Sequence, residues 1–367
     1  MPDKTYDILV VGAGPAGTAA ALSARKADAS VCLIDRAGFP RPRACGGWLG
    51  PAGVALCESL GLTAKSAGAT PFRNLVLHSW DLRSDTCVED ECLHGWTVER
   101  SAFDHALLKT AQDAGAESIL GAAPKSINCG EDYVTINTAD GQAIRGRILL
   151  IGDGARSDAA LAAQLPAAGH SPEAACWVSA SFAWRETVAR LDVVIGAGRV
   201  ARLGTIVRTP KGGRLSLITR ESEPHPREQF MTLLRAAAEK GLVPATDKFE
   251  NPTEGTTPAG VALDMDTHVG KRSLLIGDAG GFVAAFSNEG IYPAMRSGAI
   301  AAQAALAALK APLVQDALGD FGPAWRSELA DYLRMPNTDL GLLMPLVFKN
   351  EQMSLRVAKA FLLGQPF

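Results

Sequence analysis

Three glycines and one aspartate near the start of the chain have the spacing of a dinucleotide site. Gly12, Gly14 and Gly17 follow an apolar run (DILVV), and Asp35 follows the next apolar run, Val31 to Ile34. In a βαβ unit the first glycine permits a tight turn, the second lets the backbone approach a pyrophosphate, and the third lets the helix pack on the sheet. Because an acidic residue after the second strand can accept both ribose hydroxyls, this segment predicts a site for the adenosine half of a dinucleotide.

A second strand, glycine turn and helix are predicted late in the chain. The turn is GDAGGF, Gly277 to Phe282, and an alanine-rich helix follows from about Ile291 to Leu309. Asp278 can accept hydroxyl groups of a ribityl chain. The amides of Gly290 and Ile291, at the positive end of the helix dipole, can stabilise negative charge on a reduced isoalloxazine. An ordinary helix start is the alternative, but beside the first segment this one indicates a flavin.

Composition and charge limit the kinds of partner and site that the protein can have. The 367 residues carry a net charge of -3, with lysine and arginine dispersed, which argues against nucleic acid as a partner. Seven cysteines without paired spacing and six scattered histidines without HxxxH predict neither a disulfide framework nor a metal site. No N-terminal signal segment is recognisable, and no apolar run reaches the ~18 residues that cross a bilayer. We therefore expect a cytoplasmic protein that is soluble or in peripheral contact with a membrane.

The periodicity of apolar residues predicts a discontinuous first domain with an insertion. In the stretch from Ala174 to Thr219 apolar residues recur at every second position, as in antiparallel strands. The residues Pro210 to Gly213 are typical of a hairpin turn. The expected fold class is α/β combined with α+β: a Rossmann-like domain with GxGxxG, an inserted antiparallel-sheet substrate domain and C-terminal helices. The predicted ranges are 1–72, 96–170 and 258–310 for the cofactor domain, 73–95 and 171–257 for the substrate domain, and 311–367 for the helices.

Two further patterns have competing interpretations. Met353, Val357 and Phe361 recur at i, i+4 and i+8, which is typical of a helix that packs on the core, or of one that rests on a membrane. We favour packing on the core. The stretch Gly196 to Ala201 also reads GxGxxA, but no helical run follows it. A strand, a loop and a second strand are therefore predicted there rather than another nucleotide site.

Several motifs resemble those of one flavoprotein superfamily. Four of them are similar to the flavin motifs of the p-hydroxybenzoate-hydroxylase-like superfamily, and two others most resemble the geranylgeranyl reductase family. The first four are GxGPAG at Gly12 to Gly17, VERSAFD at Val98 to Asp104, GDGARS at Gly152 to Ser157 and GDAGGF at Gly277 to Phe282; the other two are ACGGWLGP at Ala44 to Pro51 and NEGIYPAMRSG at Asn288 to Gly298.

The resemblance implies that the cofactor is FAD and indicates the residues around it. Cys45 is expected beside the flavin as a catalytic candidate that could tune the ring or donate a proton, with an inert buried thiol as the alternative. Glu289 is the other catalytic candidate, either a proton donor or a charge favoured by the helix dipole. Trp48 either covers the pocket or belongs to the core. The expected cofactor-binding residues are Gly12, Gly14, Ala16, Gly17, Asp35, Arg36, Arg43, Cys45, Gly46, Gly47, Arg100, Ala123, Asp153, Asp278, Gly290 and Ile291.

The resemblance also implies the reaction. It indicates an FAD-dependent oxidoreductase that transfers a hydride at flavin N5 to a carbon-carbon double bond of a hydrophobic, lipid-like or secondary-metabolite substrate, or forms such a bond. NAD(P)H or another external donor, including an electron-donor protein, would supply the electrons. The alternatives are an FAD-dependent monooxygenase acting through a C4a-hydroperoxide, a flavin halogenase, whose WxWxIP segment we do not find, and a non-catalytic flavoprotein.

One stretch departs from the family pattern. Reductases of prenyl chains usually carry an aromatic YxWxFP segment in the substrate sheet, and the corresponding residues here are Thr205 to Pro210, without the aromatics. The prenyl substrate therefore stays open at this point. Arg208 within the stretch either faces the pocket, where it would pair with a carboxylate or a phosphate, or is a solvated residue at the end of a strand.

Overall fold

Two β-sheets organise the chain in the computed structural model. The residues that it describes are 4–171, 174–186, 188–196, 203–219, 225–338 and 340–366. In chain order the strands are β1 (Thr5–Val11), β2 (Val31–Asp35), β3 (Trp48–Leu49), β4 (Thr70–Ser79), β5 (Asp85–Val88), β6 (His94–Thr97), β7 (Glu117–Leu120), β8 (Pro124–Cys129), β9 (Val134–Thr138), β10 (Ala143–Ile151), β11 (Ala175–Phe182), β12 (Ala189–Ile195), β13 (Leu203–Thr209), β14 (Gly212–Thr219), β15 (Thr253–Thr257), β16 (Val269–Gly270) and β17 (Ser273–Leu275).

The helices surround these sheets. Short 3-10 turns also occur, one of them at Gly277–Gly280 before the longest helix. In chain order the α-helices are α1 (Pro15–Arg25), α2 (Pro51–Ser59), α3 (Arg100–Asp113), α4 (Asp158–Ala162), α5 (Pro226–Glu239), α6 (Ile291–Ala308), α7 (Val314–Leu318), α8 (Phe321–Leu333), α9 (Leu340–Val347) and α10 (Glu351–Leu363).

The first sheet has the parallel centre that the opening βαβ motif predicts. Its order in the described residues is β16-β17-β10-β1-β2-β7, with β9 paired to β10 and β8 to β9. β1 pairs in parallel with both β10 and β2, and α1 is the crossover between β1 and β2. Ile8, Leu9 and Val10 have no exposed surface, as expected for a strand covered on both faces. The Rossmann-like part of the expected fold class is confirmed.

Helices α1 and α6 pack against each other through small residues. A Cβ added to Gly298 would lie 2.1 Å from the backbone oxygen of Ala16, and one added to Gly17 would lie 1.8 Å from the oxygen of Gly12. Gly12 itself has a φ of +100°, a conformation that suits glycine alone among the ordinary residues. No larger residue fits at either contact without movement of the backbone. The N-terminal residues of both helices consequently line the same cavity, described below.

The second sheet is antiparallel except for one pair of strands. It runs β15-β11-β14-β13-β12-β4-β6-β3, with β5 paired to β4, and β12 pairs with β4 in parallel. Val178, Ala180 and Phe182 share a face and pack with residues of α5, as their alternation predicts. Trp184 lies beyond the end of β11, although its ring meets Phe182 edge-on at 6.0 Å. The predicted turn at Pro210 joins β13 to β14.

The second sheet takes strands from both sides of the predicted boundaries at residues 72 and 95, since β4 and β6 each cross one of them. β3 falls within residues 1–72 of the expected cofactor domain, yet it pairs with β6 in the second sheet. β4 crosses the predicted boundary at residue 72 and belongs to the same sheet. The remaining domain division stays a prediction.

Helix α10 packs on the second sheet, whereas α7 and α8 pack with α6 in the core of the first. Val357 and Phe361 of α10 are fully buried, and Met353 packs against the same cluster. The core interpretation of this apolar stripe is confirmed, and the membrane-resting interpretation of these three residues is wrong. Within the ranges that the structure describes, no helix is both long enough and apolar enough to cross a membrane.

The second glycine motif lies between paired strands. β12 ends at Ile195, β13 begins at Leu203, and these two residues pair with each other. The strands on both sides agree with the predicted strand, loop and strand. Gly198 and Ala201 of the motif lie outside the described residues.

Candidate active site

A cavity of about 850 Å³ lies where the two sheets meet, and we call it the central cavity. Its walls come from the N termini of α1 and α6, the loop before β3, the turn after β10, and strands β11 and β15. Distant parts of the sequence therefore converge on one chamber. The predicted residues that line it are Gly14, Ala16, Arg36, Arg43, Cys45, Arg100, Asp153, Asp278, Gly290 and Ile291.

The N terminus of α1 leaves open space in front of Gly14. A Cβ added to Gly14 would find a single group within 4 Å, the Nη2 atom of Arg41 at 3.6 Å. The helix amides there have no acidic side chain in the first turn. Helix N termini of this kind bind phosphate through N–H groups and the helix dipole, so the position suits a pyrophosphate.

Asp35 is fixed at the end of β2 by backbone groups. Its Oδ2 accepts a hydrogen bond from the N–H of Ala13 at 2.8 Å, and its Oδ1 accepts one from Ala37 at 2.8 Å. Arg41 forms an ion pair with Oδ2 at 3.7 Å. An ionised carboxylate offers about four acceptor positions, so Asp35 keeps capacity for ribose hydroxyls. It does not itself line the central cavity.

The loop before β3 carries a second arginine that pairs across the cavity. Nη2 of Arg43 lies 3.1 Å from Oδ2 of Asp278. Asp278 follows β17, whereas Arg43 follows β2, so this pair joins the two segments in which the flavin motifs were found.

Burial lowers the pKa of Arg41 relative to an ordinary arginine. Sequence reasoning missed Arg41, although its spacing of two from Arg43 was a usable signal.

Arg36 and Asp153 line the cavity at its other end. The Arg36 guanidinium pairs with Asp158 at 3.5 Å, and both side chains are exposed, so this pair adds little stability. Asp153 accepts hydrogen bonds from the Ser157 hydroxyl and from the N–H of Ala159. Burial raises the pKa of Asp153 above its usual value, against the effect of those hydrogen bonds.

The other predicted residues lie behind the cavity wall. Gly12 lies in the turn before α1, and Gly17 lies in the first turn of that helix. A Cβ on Gly46 would meet both Trp48 and Trp177 at 3.1 Å. The carbonyl of Ala123 accepts the N–H of Ala139. The predicted residues that do not line the central cavity are Gly12, Gly17, Asp35, Gly46, Gly47, Ala123 and Glu289.

Cys45 is held next to a buried cation. Its sulfur accepts the N–H of Gly47 at 3.4 Å, and its carbonyl accepts the Ser216 hydroxyl at 3.1 Å. The guanidinium of Arg100 makes two hydrogen bonds to Asp104, at 2.8 and 2.9 Å, and also contacts the Cys45 side chain. Burial would lower the pKa of Arg100, but Asp104 and Cys45 raise it above its ordinary value. Arg100 is therefore a cation beside the thiol.

Glu289 is buried behind the N terminus of α6. Its Oε1 accepts the N–H groups of Ile291 and Tyr292 at 2.9 and 2.8 Å, and its Oε2 accepts the Tyr332 hydroxyl at 3.1 Å. The side chain therefore caps the helix and joins it to α8. This geometry agrees with a charge favoured by the helix dipole, while a proton-donor role for Glu289 stays untested.

An aromatic wall lies beside the Cys45 loop. Trp177 lines the central cavity, and Trp48 stacks on Phe361 with ring centroids 4.8 Å apart. Phe286 belongs to the same buried cluster. Sequence reasoning placed neither Trp177 nor Phe286 at the site. These aromatic residues are far apart in the sequence, so no local motif indicated that they lie together.

Asn288 was also missed, although it stands directly before Glu289. It has a φ of +53° and lines the central cavity. Its side-chain Oδ1 is buried and has no hydrogen-bond partner among the described residues. Buried polar atoms without a partner are rare, so this oxygen indicates a ligand that donates a hydrogen bond.

Neither interpretation of Arg208 is correct. The side chain is buried and does not line the central cavity; its Nη2 pairs with Oδ2 of Asp192 at 2.8 Å. His78 and Arg190 also bind Asp192, at 2.8 and 3.0 Å. Burial would raise the pKa of Asp192, but the hydrogen bond from His78 and the two cations lower it below its usual value. The carboxylate partner of Arg208 thus comes from the neighbouring strand β12.

His268 supports the turn that carries Asp278. Its Nε2 lies 2.8 Å from the carbonyl oxygen of Gly280. The ring packs against Phe282 and Trp325, with centroids 5.0 and 5.1 Å away. Burial lowers the pKa of His268 to about 4, so the imidazole is neutral at physiological pH.

We expect His268 to make the protein sensitive to acid. Between about pH 6.5 and pH 4 the unfolded chain binds a proton that the folded protein excludes, so the free energy of unfolding falls with decreasing pH, by about 3 kcal/mol in total. Urea unfolding at several pH values should show a weaker loss in His268→Gln, relative to its own value at pH ~7.5. The same pH dependence in both proteins would contradict this.

The comparisons with known proteins agree with the geometry. Residues 7–164 match the family model described as FAD dependent oxidoreductase. A geranylgeranyl diphosphate reductase of Rhodobacter capsulatus is 31% identical over 331 residues, which cover 83% of this chain and 76% of that protein. The chain belongs to the geranylgeranyl reductase family. It is thus an FAD-dependent oxidoreductase. The resemblance to this family that its sequence motifs indicated is confirmed.

Two other similar proteins match different shares of this chain. A menaquinone reductase of Mycobacterium tuberculosis is 36% identical over 159 residues, which cover 42% of this chain and 39% of that protein. The chain therefore matches well under half the length of that relative. The structure of a geranylgeranyl bacteriochlorophyll reductase-like protein from Thermoplasma acidophilum has a TM-score of 0.78 at 18% identity, covering 98% of this chain and 96% of that one. This likeness shows a shared fold.

Proposed function

We propose that this enzyme transfers a hydride between FAD and a carbon-carbon double bond of a lipid-like substrate, reducing the bond or forming it. The observation that carries the proposal is the aromatic wall, in which Trp177 faces the central cavity and Gly46 separates it from Trp48. Pockets for apolar molecules are lined in this way. The relative named for geranylgeranyl diphosphate supports an isoprenoid chain as the substrate class.

Residues in the central cavity, together with Asp35 beside it, fit FAD. Gly14 would receive the pyrophosphate, Asp35 the adenosine ribose, and Asp278 the ribityl chain. Ile291, at the N terminus of α6, would face the ring, and the unpaired Oδ1 of Asn288 would accept a hydrogen bond from it. Bound there, FAD supplies the hydride chemistry at its N5 atom, while the protein orients the substrate and excludes water.

Cys45 is proposed as the reactive side chain next to the ring. The Arg100 cation and the N–H of Gly47 both contact its side chain, and the hydrogen bond from Ser216 ties its backbone to β14. A thiol held in this way can tune the ring electrostatically or donate the proton that the second substrate carbon needs. Arg100 acts through Cys45 as a positioning residue.

The electrons must come from outside the chain. We propose NAD(P)H or an electron-donor protein as their source. A lipid-like substrate would bring a cytoplasmic enzyme into peripheral contact with a membrane surface. No nucleic acid is expected as a partner, given the net charge of -3.

Product mass tests the proposal. FAD-loaded enzyme is incubated without oxygen with dithionite and a geranylgeranyl compound, and the product is analysed by mass spectrometry. We expect the mass of two hydrogen atoms to be added for each double bond reduced, and Cys45→Ala to retain FAD while reducing the substrate at least ~10-fold more slowly. The proposal would be overturned if reduced FAD left the isoprenoid unchanged and oxidised FAD also failed to take up electrons from the saturated chain.

A further inference from the structure

Glu289 connects the cavity to a buried hydrogen-bond network that the proposed reaction does not use. Only 3% of the residue is exposed. Its carboxylate binds the first amides of α6, at Ile291 and Tyr292, and the hydroxyl of Tyr332 on α8. Gly290 and Ile291 line the central cavity. The carboxylate therefore lies directly behind the backbone that faces the proposed position of the flavin ring.

Four titratable side chains surround this carboxylate. Tyr332 belongs to α8, Tyr292 to α6, Arg100 to α3 and Cys57 to α2. Arg100 is already engaged by Asp104 through two hydrogen bonds. Farther out, Arg296 and Glu328 act on Tyr292, and Asp278 near Gly290 is paired with Arg43. No one of these groups forms an ion pair with Glu289 among the described residues.

Glu289 is therefore able to change its charge near neutral pH. Burial raises its pKa to about 7, and the hydrogen bonds from Tyr292, Tyr332 and Ile291 limit the rise. Burial and the neighbouring carboxylate raise the pKa of Tyr332 well above its usual value, so Tyr332 keeps its proton. A proton that enters this network consequently binds to Glu289.

We propose that Glu289 takes up a proton from solvent when FAD in the central cavity is reduced. A hydride donor brings two electrons and one proton to the cofactor and leaves it with one more negative charge. That charge and the carboxylate both face the N terminus of α6, and like charges in a buried site raise each other's proton affinity. One O–H bond then forms on Glu289, with no change in its oxidation state. When the cofactor is reoxidised, the proton returns to solvent.

The inference rests on FAD in the central cavity and not on the substrate. Glu289 is a positioning residue here, because its carboxylate contacts backbone and Tyr332 rather than reacting atoms. Its neutralisation removes a negative charge from behind the ring. Reduced FAD is thereby stabilised, and the reduction becomes more strongly dependent on pH.

The pH dependence of the reduction potential tests this role without any substrate. The potential of FAD-loaded protein is measured against redox dyes from about pH 5.5 to 9. Each proton taken up with two electrons changes the equilibrium tenfold per pH unit, which is ~30 mV. We expect the wild type to take up about one proton more than Glu289→Gln within part of this range. Glutamine keeps an oxygen acceptor for the α6 amides but does not titrate.

Tyr332→Phe is the matched variant. It removes the hydrogen bond that stabilises the charged form of Glu289, so the pH range of the additional uptake should move to higher pH. A helix cap with only a structural role would leave the dependence unchanged in all three proteins. Parallel dependences in wild type and Glu289→Gln would overturn the inference. If Glu289→Gln does not fold, the inference would be overturned by Tyr332→Phe taking up the additional proton over the same pH range as the wild type. Failure of double-bond reduction would not affect either outcome.

Discussion

Gly14→Val is expected to give a folded protein that no longer retains FAD. The added side chain would project into the central cavity, where Arg41 alone lies within 4 Å of a new Cβ. Folding therefore meets no steric obstacle, whereas the branched side chain would occupy the space in front of the α1 amides. Because the second glycine of such a motif allows the pyrophosphate to reach the backbone, we expect affinity for FAD to fall at least ~100-fold, or ~3 kcal/mol.

Two further variants give this experiment its controls. Gly17→Val should fail to fold, because its Cβ would lie 1.8 Å from the oxygen of Gly12. Asp278→Ala removes a side chain that pairs with Arg43 at the cavity edge, and it should also give folded, colourless protein. Circular dichroism reports folding, and titration with FAD reports affinity. Wild-type affinity in both Gly14→Val and Asp278→Ala would show that the cofactor is held elsewhere.

Asp192→Ala is expected to lower the free energy of unfolding by about 3–5 kcal/mol. The substitution leaves Arg208 buried without its carboxylate, and the Nε atom of Arg208 already lacks a hydrogen-bond partner in the part of the chain that the structure describes. It also removes the hydrogen-bond partner of the buried His78 ring. Urea unfolding measures the change. Because these side chains do not line the central cavity, the folded variant should bind FAD as the wild type does.

An exposed ion pair serves as the control for the effect of Asp192→Ala on the free energy of unfolding. Asp113 pairs with Lys109 at 3.3 Å on α3, and both side chains are about two-thirds exposed. Asp113→Ala should change the free energy of unfolding by less than ~0.5 kcal/mol. Equal effects of the two substitutions would mean that the Asp192 network contributes nothing beyond a surface pair.

The sequence predicted the parts of the site that depend on local geometry. The tight turn at Gly12, the open approach at Gly14 and the acidic end of β2 follow from residues that are close in the chain, because a βαβ unit places them together. The helix predicted from Ile291 begins at that residue. These features need no knowledge of how distant segments meet.

Features that depend on distant contacts were not predicted. Arg208 finds Asp192 only through the pairing of β12 with β13, and Glu289 finds Tyr332 through the packing of α8. The second sheet contains a parallel pair, β4 with β12, that joins segments over 100 residues apart. Strand alternation shows which residues share a face, but it does not show which strand is the neighbour.

The turn that carries Asp278 ends at Gly281. Gly281 has a φ of +75°, and a Cβ there would lie 2.5 Å from the backbone nitrogen of Ala262. A residue with a side chain does not fit at this position without movement of the backbone. The turn after β17 is therefore built around glycine.

The most direct test follows the electrons in a single turnover. FAD-loaded enzyme is reduced without oxygen, freed of excess reductant and mixed with an isoprenoid substrate, while flavin absorbance and product mass are recorded together. The account predicts that the oxidised flavin spectrum returns in the absence of oxygen, with one double bond lost for each FAD reoxidised. Reoxidation that requires oxygen and adds an oxygen atom to the product would contradict it.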